Sequence, residues 1–298
     1  GGGGRLVSII NLLIAFWVAR RMKADKVVFL SFDTVSMVLI RLFGLKPDLI
    51  FCHNNLSNVQ ARGGLLANLY KYAVKSLPVV YLTLSGRRAA LDMGLNKSFF
   101  VPLMLSSFGR FDCIAEVRDL CQEYNIMAQQ RVILWPSGSN SEVGFLTTLS
   151  NSIKFSDILS KEDAVFIVKS KLPEGFTVPA RWIVIDRYLS DKEWEGLIKY
   201  ADISILKYQE EFNGRASSIL MWYVSNELPV LVNPSFLLDE FGSYFVNTPF
   251  FLNIEDLIAS LSAHFSLQKS FIVTAENKSL LLDRERLLLK DVLLQGGG

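Results

Sequence analysis

Short apolar runs bounded by polar residues alternate along this chain with stretches whose apolar residues recur at helical spacing. In the first half, residues 26–32 (KVVFLSF) and 48–52 (DLIFC) are runs of the kind that forms strands covered on both faces. Between them the pattern predicts a helix over 34–43, closed by Gly44 with Pro47 just beyond. A helix over 64–76, a strand over 79–83 and a strand over 97–101 continue the rhythm. A new unit opens near Ser106 with a helix over 111–124, the strand 131–135 (RVILW) and the turn-rich loop 136–141 (PSGSNS). The pattern then predicts a helix over 142–153, strands over 164–169 and 182–186, a helix over 191–200, a strand over 203–206, a helix over 216–225 and a strand over 229–232. Helices over 254–265 and 278–294 close the chain. In the last, Leu281, Leu282, Leu288, Leu289 and Val292 flank the charged run 283–286, so the helix is amphipathic and packs on something. Strands alternating with helices build parallel sheets, so the expected fold class is α/β.

Composition narrows the function classes. Half of the 298 residues are apolar, enough for two cores, which excludes a disordered chain. A net charge of +2 supplies no field for tracking phosphates, so no nucleic-acid partner is expected. Cys52, Cys113 and Cys121 lack metal-ligand spacing, and only His53 and His264 could join them. They read as small buried hydrophobes of a reduced, cytoplasmic protein, and no metal is expected. The apolar segment 6–19 is followed by Arg20, Arg21 and Lys23. At about 14 residues it falls short of the roughly 20 that span a bilayer, which leaves a buried helix or one lying on the inner surface of a membrane.

In open parallel sheets, ligands lie beyond the carboxyl ends of the strands and anions dock on helix N-termini. Three loops of the second half follow strands in this way: 137–141, 169–171 and 208–218. Asn213-Gly-Arg-Ala-Ser-Ser218 starts a helix with a flexible turn, a cation and two hydroxyls, a set that holds a diphosphate or simply caps the helix. Lys169 and, next to it, Lys171 place an ammonium beside a leaving diphosphate or merely reach water. Glu210 and Glu211 bond ribose or sugar hydroxyls or stay solvated. Asp33, just past a strand, serves as a general base on an acceptor hydroxyl or as the cap of the helix at Thr34.

The stretch 193–232, EWEGLIKYADISILKYQEEFNGRASSILMWYVSNELPVLV, resembles the nucleotide-binding half of GT-B glycosyltransferases of the family 4 (group 1) type. The resemblance rests on Ala201-Asp202 opening a strand, Tyr208 at its end, Arg215 with Ser217 at a helix entry, and Pro229-Val230 opening the next strand. PDLIFCHNN, LTLSGRRAALDMGL and FFVPLML are similar, in family order, to segments of the acceptor half.

This resemblance implies two Rossmann-like domains facing across a cleft, the first of them short: an acceptor-side domain over 1–105, a nucleotide-sugar domain over 106–275, and a helix over 276–298 packed back toward the first. It implies transfer of a sugar from a UDP- or GDP-sugar to a glycan or lipid-linked acceptor, with no metal required. The diphosphate falls to Arg215, Ala216, Ser217, Ser218, Lys169, Gly138 and Ser139, and the nucleoside or sugar to Tyr208, Glu210 and Glu211. His53 and Asp33 are the candidates for catalysis. Two glutamates separated by seven residues, common in that family, are replaced here by Gly214 and Trp222. A silent GT-B-like binding protein and a sugar-nucleotide epimerase on the same scaffold are the alternatives.

Overall fold

The structure is a computed structural model describing residues 3–30, 32, 34–52, 56, 63–101, 113–136, 143–172, 174–208, 217–233 and 242–295. By packing, the chain divides into two units. One comprises Gly1–Met104, Asn213–Ser217 and Leu280–Gly298; the other comprises Leu105–Phe212 and Ser218–Ser279.

The first unit runs α1 (Gly3–Arg21), β1 (Val28–Phe29), α2 (Thr34–Leu42), β2 (Leu49–Cys52), α3 (Gly64–Val74), β3 (Val79–Tyr81), α4 (Leu84–Asp92) and β4 (Ser98–Phe100). Its four strands pair in parallel in sequence order, with Val28 opposite Leu49, Ile50 opposite Val79 and Val80 opposite Phe99. One face carries the larger cluster, with Phe29, Met37, Ile40, Ile50, Tyr70, Val79 and Tyr81 among its buried members. A second cluster gathers Leu49, Val80, Val101 and Val292. Of the strand expected over 26–32, Val28–Phe29 pair with β2 at the sheet edge, and Ser31 lies outside the described residues.

The second unit contains α5 (Ile114–Glu123), β5 (Arg131–Trp135), α6 (Val143–Ser150), α7 (Ile153–Lys161), β6 (Ala164–Val168), β7 (Trp182–Val184), α8 (Asp191–Tyr200), β8 (Ile203–Leu206), α9 (Ser218–Ser225), β9 (Val230–Val232) and α10 (Ile254–Phe265). Its five parallel strands lie in the order β7-β6-β5-β8-β9, so the chain starts in the middle and reverses direction between β5 and β8. Burial is complete along β6, as the unbroken run AVFIV requires of an interior parallel strand.

One sequence expectation about the helices is corrected here. The helix predicted over 142–153 is two helices, because the Ser152 hydroxyl accepts a hydrogen bond from the Phe155 N–H at 3.3 Å and starts α7. The last helix, α11 (Ala275–Gln295), packs through Leu288, Leu289 and Val292 as its amphipathic pattern requires, and of the charged run 283–286 it buries Glu285 while Asp283 and Arg286 stay exposed. Glu285 is 2 % exposed and falls on one helical stripe with the buried Leu281 and Val292.

Candidate functional site

The chain reverses direction between β5 and β8, and in open parallel sheets such a reversal marks the place at the carboxyl edge where ligands bind. At this edge Pro136 follows β5, Lys169 follows β6 and Lys207 follows β8. The Lys207 ammonium sits 5.8 Å from the centre of the Phe145 ring in the first turn of α6. Phe145 in turn stacks between Trp135 and Phe251, so the floor of this region is aromatic. Asn233, just past β9, clamps the backbone of Tyr208: its side-chain oxygen accepts from the Tyr208 N–H at 2.7 Å and its amide donates to the Tyr208 carbonyl at 3.1 Å. The Tyr208 side chain is buried.

Beyond β5, β6 and β7 lies a cavity of about 280 Å³ lined by Pro136, Lys169, Tyr188, Leu189, Asp191 and Trp194. It combines one cation, one carboxylate and two aromatic rings, and Tyr188 stands 85 % exposed beside it. The loop before α8 is held tightly. Ser190 caps α8 in a capping box, accepting from the Glu193 N–H while the Glu193 carboxylate accepts from the Ser190 N–H at 2.7 Å. Arg187 donates through two nitrogens to Glu123 on α5, again to Glu193 at 2.7 Å, and to the Tyr188 carbonyl at 3.0 Å. Hydrogen bonds from Arg187 and Ser190 hold the Glu193 carboxyl down at about 2. A larger, open hollow of about 690 Å³ is lined by helix and turn residues from Phe145 to Glu255 and takes no group from a strand end.

Of the residues predicted from sequence, Lys169 lines the cavity. Ser218 is the first residue of α9, and Ser217 just before it is buried. His53, Asp33, Gly138, Ser139, Glu210, Glu211, Arg215 and Ala216 lie outside the described residues. Tyr188, Asp191 and Trp194 escaped sequence reasoning. Their signal was the S-x-x-E box that starts a helix directly after a strand, with an aromatic residue on each side.

Asp202 has a structural part. It sits at the amino end of β8, where its carboxylate accepts from the Val132 N–H at 2.7 Å and its own N–H donates to the Val132 carbonyl at 2.9 Å. Asp48 makes the same pair with Val27 at the amino end of β2, at 2.7 and 2.8 Å. The cysteines are free, and Cys52 and Cys113 are buried. Cys52 joins the Tyr70 and Tyr81 hydroxyls in a buried chain of contacts at 3.4 and 2.9 Å. Burial pushes the Cys113 and Cys121 thiols up, away from nucleophilic chemistry. Among the described residues no group of three or more His, Cys, Asp or Glu side chains could hold a metal ion.

No protein-family model matches the chain, and no curated protein matches it in sequence. Solved structures do. An α,α-trehalose-phosphate synthase (UDP-forming) from Burkholderia vietnamiensis superposes with a TM-score of 0.58 at 8% identity, covering 97% of this chain and 76% of its own. A trehalose-6-phosphate structure from E. coli bound with UDP-2-fluoro glucose gives 0.59 at 10% identity, covering 89% and 72%. The Burkholderia xenovorans synthase in complex with glucose-6-phosphate gives 0.57 at 13% identity, covering 93% and 72%. At these identities the likeness carries the fold: this chain has the GT-B fold of nucleotide-sugar glycosyltransferases, two parallel α/β units of Rossmann type.

Proposed function

We propose that this chain is a glycosyltransferase that moves a sugar from a nucleotide-sugar donor to an acceptor hydroxyl, and that its donor nucleoside occupies the cavity beyond β5, β6 and β7. The observation that carries this reading is the cavity's chemistry at the carboxyl edge of the sheet: two rings, a carboxylate and an ammonium around Pro136. Tyr188 and Trp194 flank the base, since every base offers a π-face to stack. Asp191 accepts hydrogen bonds from ribose hydroxyls. Lys169 and Lys207 face the diphosphate, with Arg215, Ala216, Ser217, Ser218, Gly138 and Ser139 assigned to it from sequence. A uridine diphosphate sugar is the favoured donor, because a structure of this fold holds UDP-2-fluoro glucose.

In the reaction the acceptor oxygen bonds to the anomeric carbon while the bond from that carbon to the β-phosphate oxygen breaks. Negative charge grows on the departing diphosphate, and fixed cations with helix N–H groups stabilise it more in the transition state than before. The acceptor proton leaves to a base, the part assigned to Asp33 or His53 on sequence grounds. The acceptor is a glycan, a lipid-linked sugar or, as in the synthase complex with glucose-6-phosphate, a sugar phosphate.

A second reading, binding of a nucleotide sugar without turnover, has one observation in its favour. Trp222, standing where the family has its second glutamate, is buried on α9 and presents no carboxylate.

Calorimetry with UDP, GDP and ADP tests the site. Lys169→Ala, Trp194→Ala and Arg215→Ala are each expected to weaken uridine diphosphate binding about tenfold to a hundredfold, the equivalent of one charge-assisted hydrogen bond or one stacking contact. Unchanged affinity in both Lys169→Ala and Trp194→Ala would place the nucleotide elsewhere. Release of free nucleoside diphosphate from a panel of nucleotide sugars separates transfer from silent binding.

A further inference from the structure

The exposed side of α1 is apolar where a helix facing only water is polar. Val7, Ile10, Ile14, Trp17 and Val18 are all exposed, Trp17 to 59 % and Ile14 to 52 %. At 3.6 residues per turn these five, with Arg21, fall within an arc of about 100°. Phe16, about 150° from the middle of that arc, is the buried anchor, packing edge-on against Phe29 at 5.2 Å. Phe16 thus anchors the helix in the core of the first unit while an apolar stripe faces outward. The outer stripe ends in cations: the Arg21 guanidinium lies 5.1 Å over the Trp17 ring, and Met22, Lys23 and Lys26 follow, all exposed. Residues 1–26 hold Arg5, Arg20, Arg21, Lys23 and Lys26 against the single acid Asp25. Lys26 also donates to the Leu293 carbonyl at 2.7 Å.

We infer that the outer face of α1 docks on an anionic lipid bilayer, lying in the plane of the surface. An apolar stripe, a tryptophan near its end with Arg21 over its ring, and further cations after it are what the boundary between acyl chains and headgroups takes up: the stripe enters the boundary, the indole sits at headgroup depth, and the cations meet lipid phosphates. Charge complementarity selects a negatively charged surface over a second copy of this chain, whose own α1 brings the same positive charges. Among the described residues no helix is long and apolar enough to cross a membrane, so the contact is with the surface. This goes beyond the donor-site reading and stands on residues of the other unit.

Flotation with vesicles of phosphatidylcholine alone and of phosphatidylcholine with phosphatidylglycerol tests it, using the whole chain. The chain should float with the anionic vesicles, and added salt should weaken the binding. The double variant Arg21→Glu/Lys23→Glu should lose about tenfold or more of that affinity and its preference for anionic lipid. The double variant Ile14→Ser/Trp17→Ser should lose flotation at every salt concentration. Both pairs are exposed and leave Phe16 in place, and unchanged circular dichroism and uridine diphosphate affinity would show that the fold and the donor site are intact. No flotation of the native chain with anionic vesicles overturns the inference. So does a concentration-dependent dimer in light scattering that Ile14→Ser/Trp17→Ser abolishes, which would assign the stripe to a second copy.

Discussion

At the scale of single residues, Gly196 shows how closely α5 and α8 approach. A Cβ at this position would stand 2.6 Å from Val117 Cγ2 and 3.0 Å from Cys113 Cβ. Alanine is the better helix former by about 1 kcal/mol, whereas an overpacked contact costs about 1–3 kcal/mol. The Cys113 Cβ is fixed to the backbone of α5 and has little room to withdraw, so the clash wins. Gly196→Ala should therefore lower the thermal midpoint of the second unit by several degrees, at about 2–4 °C per kcal/mol for a domain of this size. A rise in midpoint would show that the two helices can part at no cost. Burial at this helix pair also explains why Cys113 is a packing residue: its thiol is held up by desolvation and by the neighbouring Glu195.

Among the elements, α8 links stability to the proposed site, since its first turn carries Asp191 and Trp194 and its cap fixes Tyr188. Ser190→Ala removes one half of the capping box and should cost about 1 kcal/mol of stability. It should also weaken uridine diphosphate binding several-fold by loosening the cavity wall. Denaturant titration and calorimetry on the same variant check both. The Glu193 carboxyl supplies the pH dependence. Its folded value of about 2 lies below the ordinary glutamate range near 4.3, so the native state prefers it ionised. That stabilisation is complete above about pH 4.3 and is lost as pH falls toward 2. Glu193→Gln should thus be less stable than the native chain at pH 7, with the gap narrowing across that acid window. A gap independent of pH would mean that the Arg187 and Ser190 contacts contribute through shape rather than charge.

On the scale of the whole molecule, each unit buries its own clusters. Trp135, Phe145, Phe166 and Phe251 belong to one in the second unit. Val292 of α11 joins Leu49, Val80 and Val101 in the first, with Leu288 and Leu289 packed against them. α11 therefore covers apolar residues of the sheet that β1–β4 form. Val292→Asp would bury an unpaired charge there. Hydrogen-exchange mass spectrometry should then show lost protection in β2 and β3 but retained protection in β5, β6 and β8. Equal loss in both sheets would mean that the two cores unfold as one.

The pattern of apolar runs was enough to place β5, α8, β8 and α10 within the bounds found, because a strand buried on both faces or a helix with a capped start carries its signal locally. It also sufficed for the parallel α/β class and for Lys169 as a group at a strand end. Where the signal depended on neighbours, it failed. The helix over 142–153 broke because Ser152 offered the backbone a cap inside an apolar stretch. Ala201-Asp202 opens a strand as read, but the sequence could not show that Asp202 clasps Val132 of the neighbouring strand there, at the amino end opposite the edge where ligands bind. Glu285 could be assigned to the buried face of α11 only once the helix had a sheet to lie on. The cavity of Pro136, Lys169, Tyr188, Asp191 and Trp194 gathers residues from the ends of three strands and the start of a helix, more than fifty positions apart. Only strand order makes such groups neighbours, and strand order is set by which apolar faces pack together across the whole unit, not by any short stretch of the chain.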